Sequence, residues 1–298
     1  MNVVVLGANG FIGRNLVHAL LKKSFHVTAF DRSLEKYTKE NITWVEGDFF
    51  DLKMLESLVE QNDILIHAIC TINPGTSNEK YMYAYHNDLL QSIELCELCT
   101  RYKKRLLFIS SGGTVYGIQT HMPIAEETLP YPINHYGNLK LCTENTYRTF
   151  FKQQGTDIII ARISNVYGPG QDYAKGVGFI DAVIKRGLAG KTIEIFGEGN
   201  IVRDYIYIED ACEMLVELLK YNGKFRTFNV SSNFGTSQND IINIVSEYIP
   251  KLKISYFKER DIDVKDIILD NSRIRSIYQG RIRGVQEGIK DYIEYLCK

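Results

Sequence analysis

Apolar and polar positions follow two rhythms through the first two-thirds of the chain. Short apolar runs at Val3–Leu6, His26–Phe30, Ile42–Val45, Ile64–Ile69, Arg105–Ser110 and Asp157–Ile163 have the length of strands. Between them Asn15–Lys23, Leu52–Glu60, Asn87–Tyr102 and Tyr136–Gln153 carry apolar residues at helical spacing. Apolar strands alternating with helices predict a parallel sheet covered on both faces, a doubly wound α/β fold. After Tyr167-Gly168-Pro169-Gly170 the segments shorten and Gly, Lys and Asp become more frequent. The pattern therefore predicts a main domain over residues 1–168 and a smaller α/β lobe over 169–298, with a strand such as Thr227–Val230 free to return to the main sheet. No repeat of fixed period and no low-complexity linker interrupts it.

Composition adds mostly exclusions. The 298 residues are 45% hydrophobic and 24% charged, as in soluble globular proteins, which rules out a disordered or collagen-like chain. Lysine and arginine number 35 against 36 acidic residues, a net charge of −1 with no general pull toward nucleic acid or anionic membrane. No apolar run reaches the ~20 residues of a membrane helix, and the glycine-interrupted start does not read as a signal peptide. Among six scattered cysteines only Cys96 and Cys99 are close, and no second pair follows at zinc spacing. They read as small core residues of a helix, and a cytoplasmic, reducing setting without a metal site is expected.

The candidate chemistry begins where the first strand runs into Gly7-Ala8-Asn9-Gly10-Phe11-Ile12-Gly13, with a helix directly after. Glycines let the backbone approach a pyrophosphate, and the helix start offers free N–H groups and a positive dipole end. Asp31, closing the second strand, can accept hydrogen bonds from both ribose hydroxyls and repels a 2′-phosphate, which predicts NAD rather than NADP. Arg32 beside it is the one neighbour suited to a phosphate. Asp48, in VEGDFFD, is expected near the adenine, or as the cap of the helix from Leu52. Further on, Tyr136 and Lys140 stand at i and i+4, on one helix face. A tyrosine of ordinary pKa, roughly 10, is a poor base. A neighbouring ammonium favours the phenolate, so Lys140 is expected to ready Tyr136 for proton exchange with a substrate hydroxyl while also holding a cofactor ribose.

GANGFIG, Asp31, GDFFD, IHAIC, Asn87 in HNDLLQSIELCE, ISSGGTVYG, Tyr136 with Lys140, RISNVYGPGQ and FGEGNIVRDYIYIEDA span nearly the whole chain. Together they resemble the extended short-chain dehydrogenases/reductases, and among these the nucleotide-sugar epimerase/dehydratase group, with UDP-hexose 4-epimerases the nearest in look. The resemblance implies a Rossmann domain binding NAD and a second lobe binding the nucleotide sugar. It assigns Tyr136 as catalytic base with Lys140 as its partner, and Asn87 as a support on the fourth helix. It places Phe11, Ile12, Phe49, His67, Ala68 and Ser110 along the cofactor. Asn165 is implied at the sugar diphosphate, and Arg203 and Arg260 at the nucleotide phosphates, a task that suits a bidentate guanidinium. Asp204 and Glu259 are the neighbours that would otherwise pair with these arginines. The loop Thr71–Asn78 and the segment Tyr173–Phe179, which includes Gly178, are expected to line the sugar pocket.

One departure stands out. The family's substrate-bonding Ser or Thr falls here on Gly112, leaving Ser111 or Thr114 to supply the hydroxyl; Thr114 is preferred, because Gly112 and Gly113 let the loop shift. The Asp–Glu pair of the dehydratases is replaced by Gly113 and Thr114, which argues against dehydration. The expectation is an NAD-dependent epimerase interconverting UDP-hexoses at C4, UDP-glucose and UDP-galactose or their N-acetyl forms, through a 4-keto intermediate. Its rivals are an NAD(P)H-dependent 4-ketoreductase of a deoxy nucleotide sugar and a non-catalytic dinucleotide sensor. The resemblance further implies a homodimer through the helices Asn87–Tyr102 and Tyr136–Gln153. Those helices carry Leu89, Leu90, Leu95, Leu139, Leu141 and Phe150 on more than one side.

Overall fold

The computed structural model describes residues 1–34, 40–258 and 266–298. In chain order the first half contains β1 (Asn2–Leu6), α1 (Phe11–Lys22), β2 (His26–Asp31), β3 (Ile42–Glu46), α2 (Leu52–Gln61), β4 (Ile64–His67), α3 (Ser77–Ala84), α4 (Leu90–Arg101), β5 (Arg105–Ser111), α5 (Gly112–Val115), α6 (His135–Gln154) and β6 (Ile158–Ile163). The second half adds β7 (Asn165–Tyr167), α7 (Phe179–Leu188), β8 (Thr192–Phe196), β9 (Val202–Tyr207), α8 (Ile208–Leu218), β10 (Thr227–Val230), β11 (Gly235–Ser237), α9 (Gln238–Tyr248), β12 (Lys253–Phe257), β13 (Asp266–Ile267), α10 (Ser272–Arg275) and α11 (Val285–Leu296).

Seven strands form one sheet in the order β10-β6-β5-β4-β1-β2-β3, every pairing parallel. The order reverses between β1 and β4, the place where doubly wound folds open a crevice at the strand C-termini. Both faces are covered. On one, Leu16, Val17 and Leu20 of α1 meet Ala211 and Leu215 of α8; on the other, Leu55 and Leu58 of α2, Leu95 of α4 and Tyr147 of α6 lie on the strands. Cys96 and Cys99 sit fully buried in this second layer. Each fully buried Leu, Ile or Val contributes about 1.5–3 kcal/mol, so strands and covering helices together anchor the sheet.

The smaller lobe has its own core of Ile180, Val183, Ile193, Ile195, Ile241, Val245 and Ile289. Its β9 is bracketed by β7, β11 and β13, while β8 pairs with β12. Chain from both halves mixes: β10 pairs with β6, and α8 packs on α1. Among the described residues no helix is long and apolar enough to cross a membrane.

Two local features differ from expectation. The cap of α2 is Asp51, whose side chain accepts from the amides of Lys53 and Met54, whereas the Asp48 side chain accepts from the Phe50 amide, ahead of the helix. The single helix expected over Asn87–Tyr102 is preceded by α3 and a π-helical turn, Tyr85–Leu89. The wider turn inserts one residue, so side-chain directions on either side no longer follow one 3.6-residue count.

His67, at the end of β4, is 3% exposed. Its ring packs against Phe49, Phe108 and Tyr147, and Nδ1 shares a 2.9 Å hydrogen bond with the Tyr147 hydroxyl. Burial, then the charge of Lys140, pushes its pKa down from 6.5 to about 3. Between these values the unfolded chain binds a proton that the folded chain refuses. The associated stability is full above about pH 6.5 and declines as pH falls toward 3. By pH 5 the loss should reach about 2 kcal/mol at 1.36 kcal/mol per unit. Urea unfolding at pH 7 and pH 5 should show His67→Gln losing less stability across that interval than the parent; equal losses would remove His67 as the cause.

Candidate active site

The site is built at the C-terminal ends of the parallel strands. Gly7 takes φ of +94°, and the amides of Gly7 and Ala8 both donate to the carbonyl of Phe30. A Cβ on Gly13 would lie 2.0 Å from the Gly7 carbonyl oxygen, so only glycine lets α1 rest on the end of β1. Gly10 enters α1 in an extended conformation with no side-chain cap, leaving the first-turn amides of Phe11, Ile12 and Gly13 ahead of the Arg14–Gly10 bond. Asp31 closes this cradle: one carboxylate oxygen accepts from the Asn9 amide at 2.9 Å, the other from the Arg32 amide at 2.8 Å. The Arg32 side chain is exposed. These residues fit a dinucleotide, with a backbone cradle that a Cβ would fill and a fixed acid above it.

Beyond the cradle lies a cavity of about 570 Å³ that reaches from Phe11, Ile12 and Ala68 past Ser111, Tyr136 and Lys140 to Asn165, Gly178 and Arg203. That is within the roughly 300–1,000 Å³ range of small-molecule sites. Thus residues far apart in sequence share one space. α6 starts at Asn134, whose side chain caps the Gly137 amide at 2.8 Å. A Cβ on Gly137 would lie 2.7 Å from the Thr114 carbonyl oxygen, so glycine here lets α6 press onto α5. That approach sets Tyr136 and Ser111 in the wall of one cavity.

Of the two candidate hydroxyls, Ser111 is the one that acts on the Tyr136 phenol, favouring its ionised form. Thr114 stands behind it and donates to Ser111 Oγ at 2.9 Å, which reverses the preference for Thr114. Gly112 is constrained as well: a Cβ there would meet Leu269 Cδ1 at 2.3 Å. Lys140 is 5% exposed; its ammonium donates to the Ile109 carbonyl at 2.9 Å and lies 5.8 Å from the Tyr136 ring centre. The phenol nevertheless lies well above its ordinary range. Burial raises it most, Cys70 adds to this, and the Ser111 hydrogen bond opposes both. Proximity to Lys140 alone does not lower it in this state, contrary to expectation.

Several expected site residues are placed differently. Asn87 donates to the Tyr83 carbonyl, whereas the next residue, Asp88, is 7% exposed and accepts from the Thr71 amide and hydroxyl at 2.8 and 2.9 Å. The support for the loop after β4 is therefore Asp88. The side chains of His67 and Phe49 belong to the core rather than the groove, because a carboxyl-end residue of a doubly covered strand can turn to either layer. Ser110 gives its hydroxyl to Glu144 at 2.5 Å.

Asn165 donates to the Asp204 carbonyl at 3.1 Å. Asp204 itself is buried, and its carboxylate accepts from Ser232, Asn233 and Leu269. Burial raises its pKa most, against these hydrogen bonds. Over the cavity the Asn73 side chain donates to the Lys175 carbonyl at 2.9 Å, joining the two loops expected to line the pocket. Arg260 and Glu259 lie outside the described residues.

Comparison with known proteins agrees with this geometry. A UDP-glucose 4-epimerase of Mycolicibacterium smegmatis is 27% identical over 311 residues, covering 99% of this chain and 98% of that protein. A dTDP-4-dehydro-6-deoxyglucose reductase of Escherichia coli is 28% identical over 287 residues, covering 91% and 89%. The crystal structure of the Thermotoga maritima UDP-glucose 4-epimerase with UDP-glucose matches with a TM-score of 0.91 at 27% identity, covering 100% of this chain and 99% of that one. The model of the NAD dependent epimerase/dehydratase family matches residues 3–231. Since that match takes in the whole sheet, from β1 to β10, the chain belongs to the NAD dependent epimerase/dehydratase family.

Proposed function

We propose that the protein is an NAD-dependent epimerase that inverts C4 of a UDP-hexose, UDP-glucose and UDP-galactose or their N-acetyl forms. The carrying observation is that one cavity joins the glycine cradle to Tyr136, Ser111 and Lys140 and continues to Asn165 and Arg203. A dinucleotide and a sugar diphosphate can thus lie end to end with a proton-transfer group between them. When bound, NAD supplies the redox chemistry, accepting a hydride from C4 and returning it to the other face.

The chain does the rest. Asp31 holds the adenosine ribose, and the first turn of α1 faces the pyrophosphate. Lys140 faces the other ribose while fixed to Ile109. Tyr136 takes the proton of the sugar 4-hydroxyl and gives it back, with Ser111, steadied by Thr114, hydrogen-bonding both oxygens. A buried phenol above its ordinary range is a strong base once ionised, and the cationic groups around it determine when that form is reached. Asn165 and Arg203 fix the diphosphate, so the hexose turns about a held end.

The likeness to the Escherichia coli reductase favours a second reading, a 4-ketoreductase with net use of NADH or NADPH, which would employ the same Tyr136–Lys140 pair. A sensor has no need of that pair. We also propose a homodimer. Leu95 and Leu139 are spent inside the subunit, but Met82, Tyr83 and Leu90 are 69%, 52% and 51% exposed on α3 and the start of α4. An apolar surface of this kind suits a two-fold helix interface.

UDP-glucose, UDP-galactose and their N-acetyl forms, each supplied with catalytic NAD, should interconvert to one ratio from both directions by NMR. Tyr136→Phe should retain NAD and lose about 10²–10⁴-fold in turnover. Reduction of a 4-keto nucleotide sugar with stoichiometric loss of NADH or NADPH, and no epimerisation, would select the second reading. Cofactor titration should show preference for NAD over NADP. Asp31→Ala should weaken NAD roughly tenfold or more, the scale of a charge-assisted hydrogen bond, and narrow the preference; an unchanged ratio would displace Asp31. Light scattering at micromolar concentration should give twice 34.2 kDa, and the single-chain mass would exclude the dimer.

A further inference from the structure

Tyr136 and Lys140 are the first two members of a longer row. Glu144 follows at the next i+4 position of α6, is 0% exposed, and takes no part in the reaction proposed above. All three side chains face the last three residues of β5. Lys140 donates to the Ile109 carbonyl at 2.9 Å, Glu144 accepts from the Ser110 hydroxyl at 2.5 Å, and Tyr136 lines the same cavity wall as Ser111.

Glu144 is in turn held from outside α6. Arg162 of β6, 1% exposed, donates through Nη2 to Oε2 at 2.7 Å and through Nε to both oxygens at 3.1 and 3.2 Å. Arg148 donates to Oε2 at 2.6 Å. The Arg162 guanidinium lies 4.7 Å from the centre of the Tyr116 ring, and the Tyr116 hydroxyl donates to Asn229 of β10 at 2.7 Å. Burial opposes the charge of Glu144, but Arg162, Arg148 and Ser110 outweigh it and hold the carboxyl below its ordinary range. A carboxylate so fully bonded has one geometry available to it.

We propose that Glu144 is a positioning residue that, through Ser110, fixes the end of β5 so that the Ser111 hydroxyl stays on Tyr136, with Arg162 as its anchor in the next strand. Strand geometry supplies the leverage. Ser110 and Ser111 are consecutive, so holding one side chain sets the direction of the next. Ser111 itself sits at the strand's last position, where its Oγ also accepts from the Thr114 hydroxyl at 2.9 Å, so it is held from both sides.

The inference rests on the epimerase reading for its kinetic consequence, but its geometry can be read without turnover. Ser110→Ala cuts the strand tether while leaving the Glu144–Arg162 pair intact; Glu144→Gln keeps shape and weakens the pair. In protein carrying tyrosine labelled with ¹³C at Cζ, the Tyr136 resonance is assigned by its loss in Tyr136→Phe. At pH 8 that resonance should be displaced beyond its linewidth in Ser110→Ala and Glu144→Gln, and unmoved in Glu56→Gln, a surface control. In the epimerase assay, run well below the melting temperature of each variant, Ser110→Ala should lower kcat about tenfold with little change in KM, and Ser110→Thr, which restores the hydroxyl, should recover most of it. Should Glu144→Gln fail to fold, Ser110→Ala alone decides the matter. An unmoved Tyr136 resonance in Ser110→Ala overturns the proposal. A moved resonance in a protein that turns over no nucleotide sugar upholds the positioning and instead overturns the epimerase reading.

Discussion

Everything at the site depends on how near α6 can come to the end of β5. Two backbones meet there with no room for a side chain, since a Cβ on Gly137 would lie 2.7 Å from the Thr114 carbonyl oxygen. The same solution recurs at the other end of the cleft, where Gly13 lets α1 rest on Gly7. Close backbone packing is what turns two ordinary helix–strand contacts into a cofactor cradle and a proton-transfer centre. It also explains why the chemistry gathers at the strand C-termini, where helices and loops converge on the topological switch point.

Close packing forces charge inside. Lys140, Glu144, Arg162 and Asp204 are all buried, and each is met by carbonyls, amides, hydroxyls or an opposite charge. Such groups contribute little net stability over apolar replacements, but removing one partner leaves an uncompensated charge and costs about 3–5 kcal/mol. The arrangement exchanges stability that apolar packing would have supplied for fixed directions. Asp204 shows this in the smaller lobe: one carboxylate gathers Ser232, Asn233 and Leu269, so chain from three segments converges behind Asn165.

What the sequence disclosed was local. The glycine turn with its following helix, Asp31 at a strand end, and Tyr136 with Lys140 each lie within one short segment, where spacing translates directly into geometry. What it withheld depended on counting across an irregularity or on the far side of the fold. The π-helical turn at Tyr85–Leu89 displaces the helical count by one, so Asp88 faces the β4 loop where Asn87 was expected. His67 and Phe49 lie beside strands covered on both faces, where alternation does not distinguish groove from core. The cap expected at Asp48 falls three residues further on, at Asp51, which loop conformation decides. The Glu144–Arg162 pair joins α6 to β6, and nothing in either segment alone announces the partner.

The contact between Gly112 and Leu269 joins distant parts of the sequence into one packed unit. Leu269, arriving from the C-terminal part of the chain, lies where a Cβ on Gly112 would point, and the nearest hydroxyl stands one residue upstream on Ser111. A serine introduced at 112 would have to turn the end of the Leu269 side chain aside before it could be seated. Bulk added at either position is thereby felt at the other, so the loop after β5 and the C-terminal part of the chain share one volume.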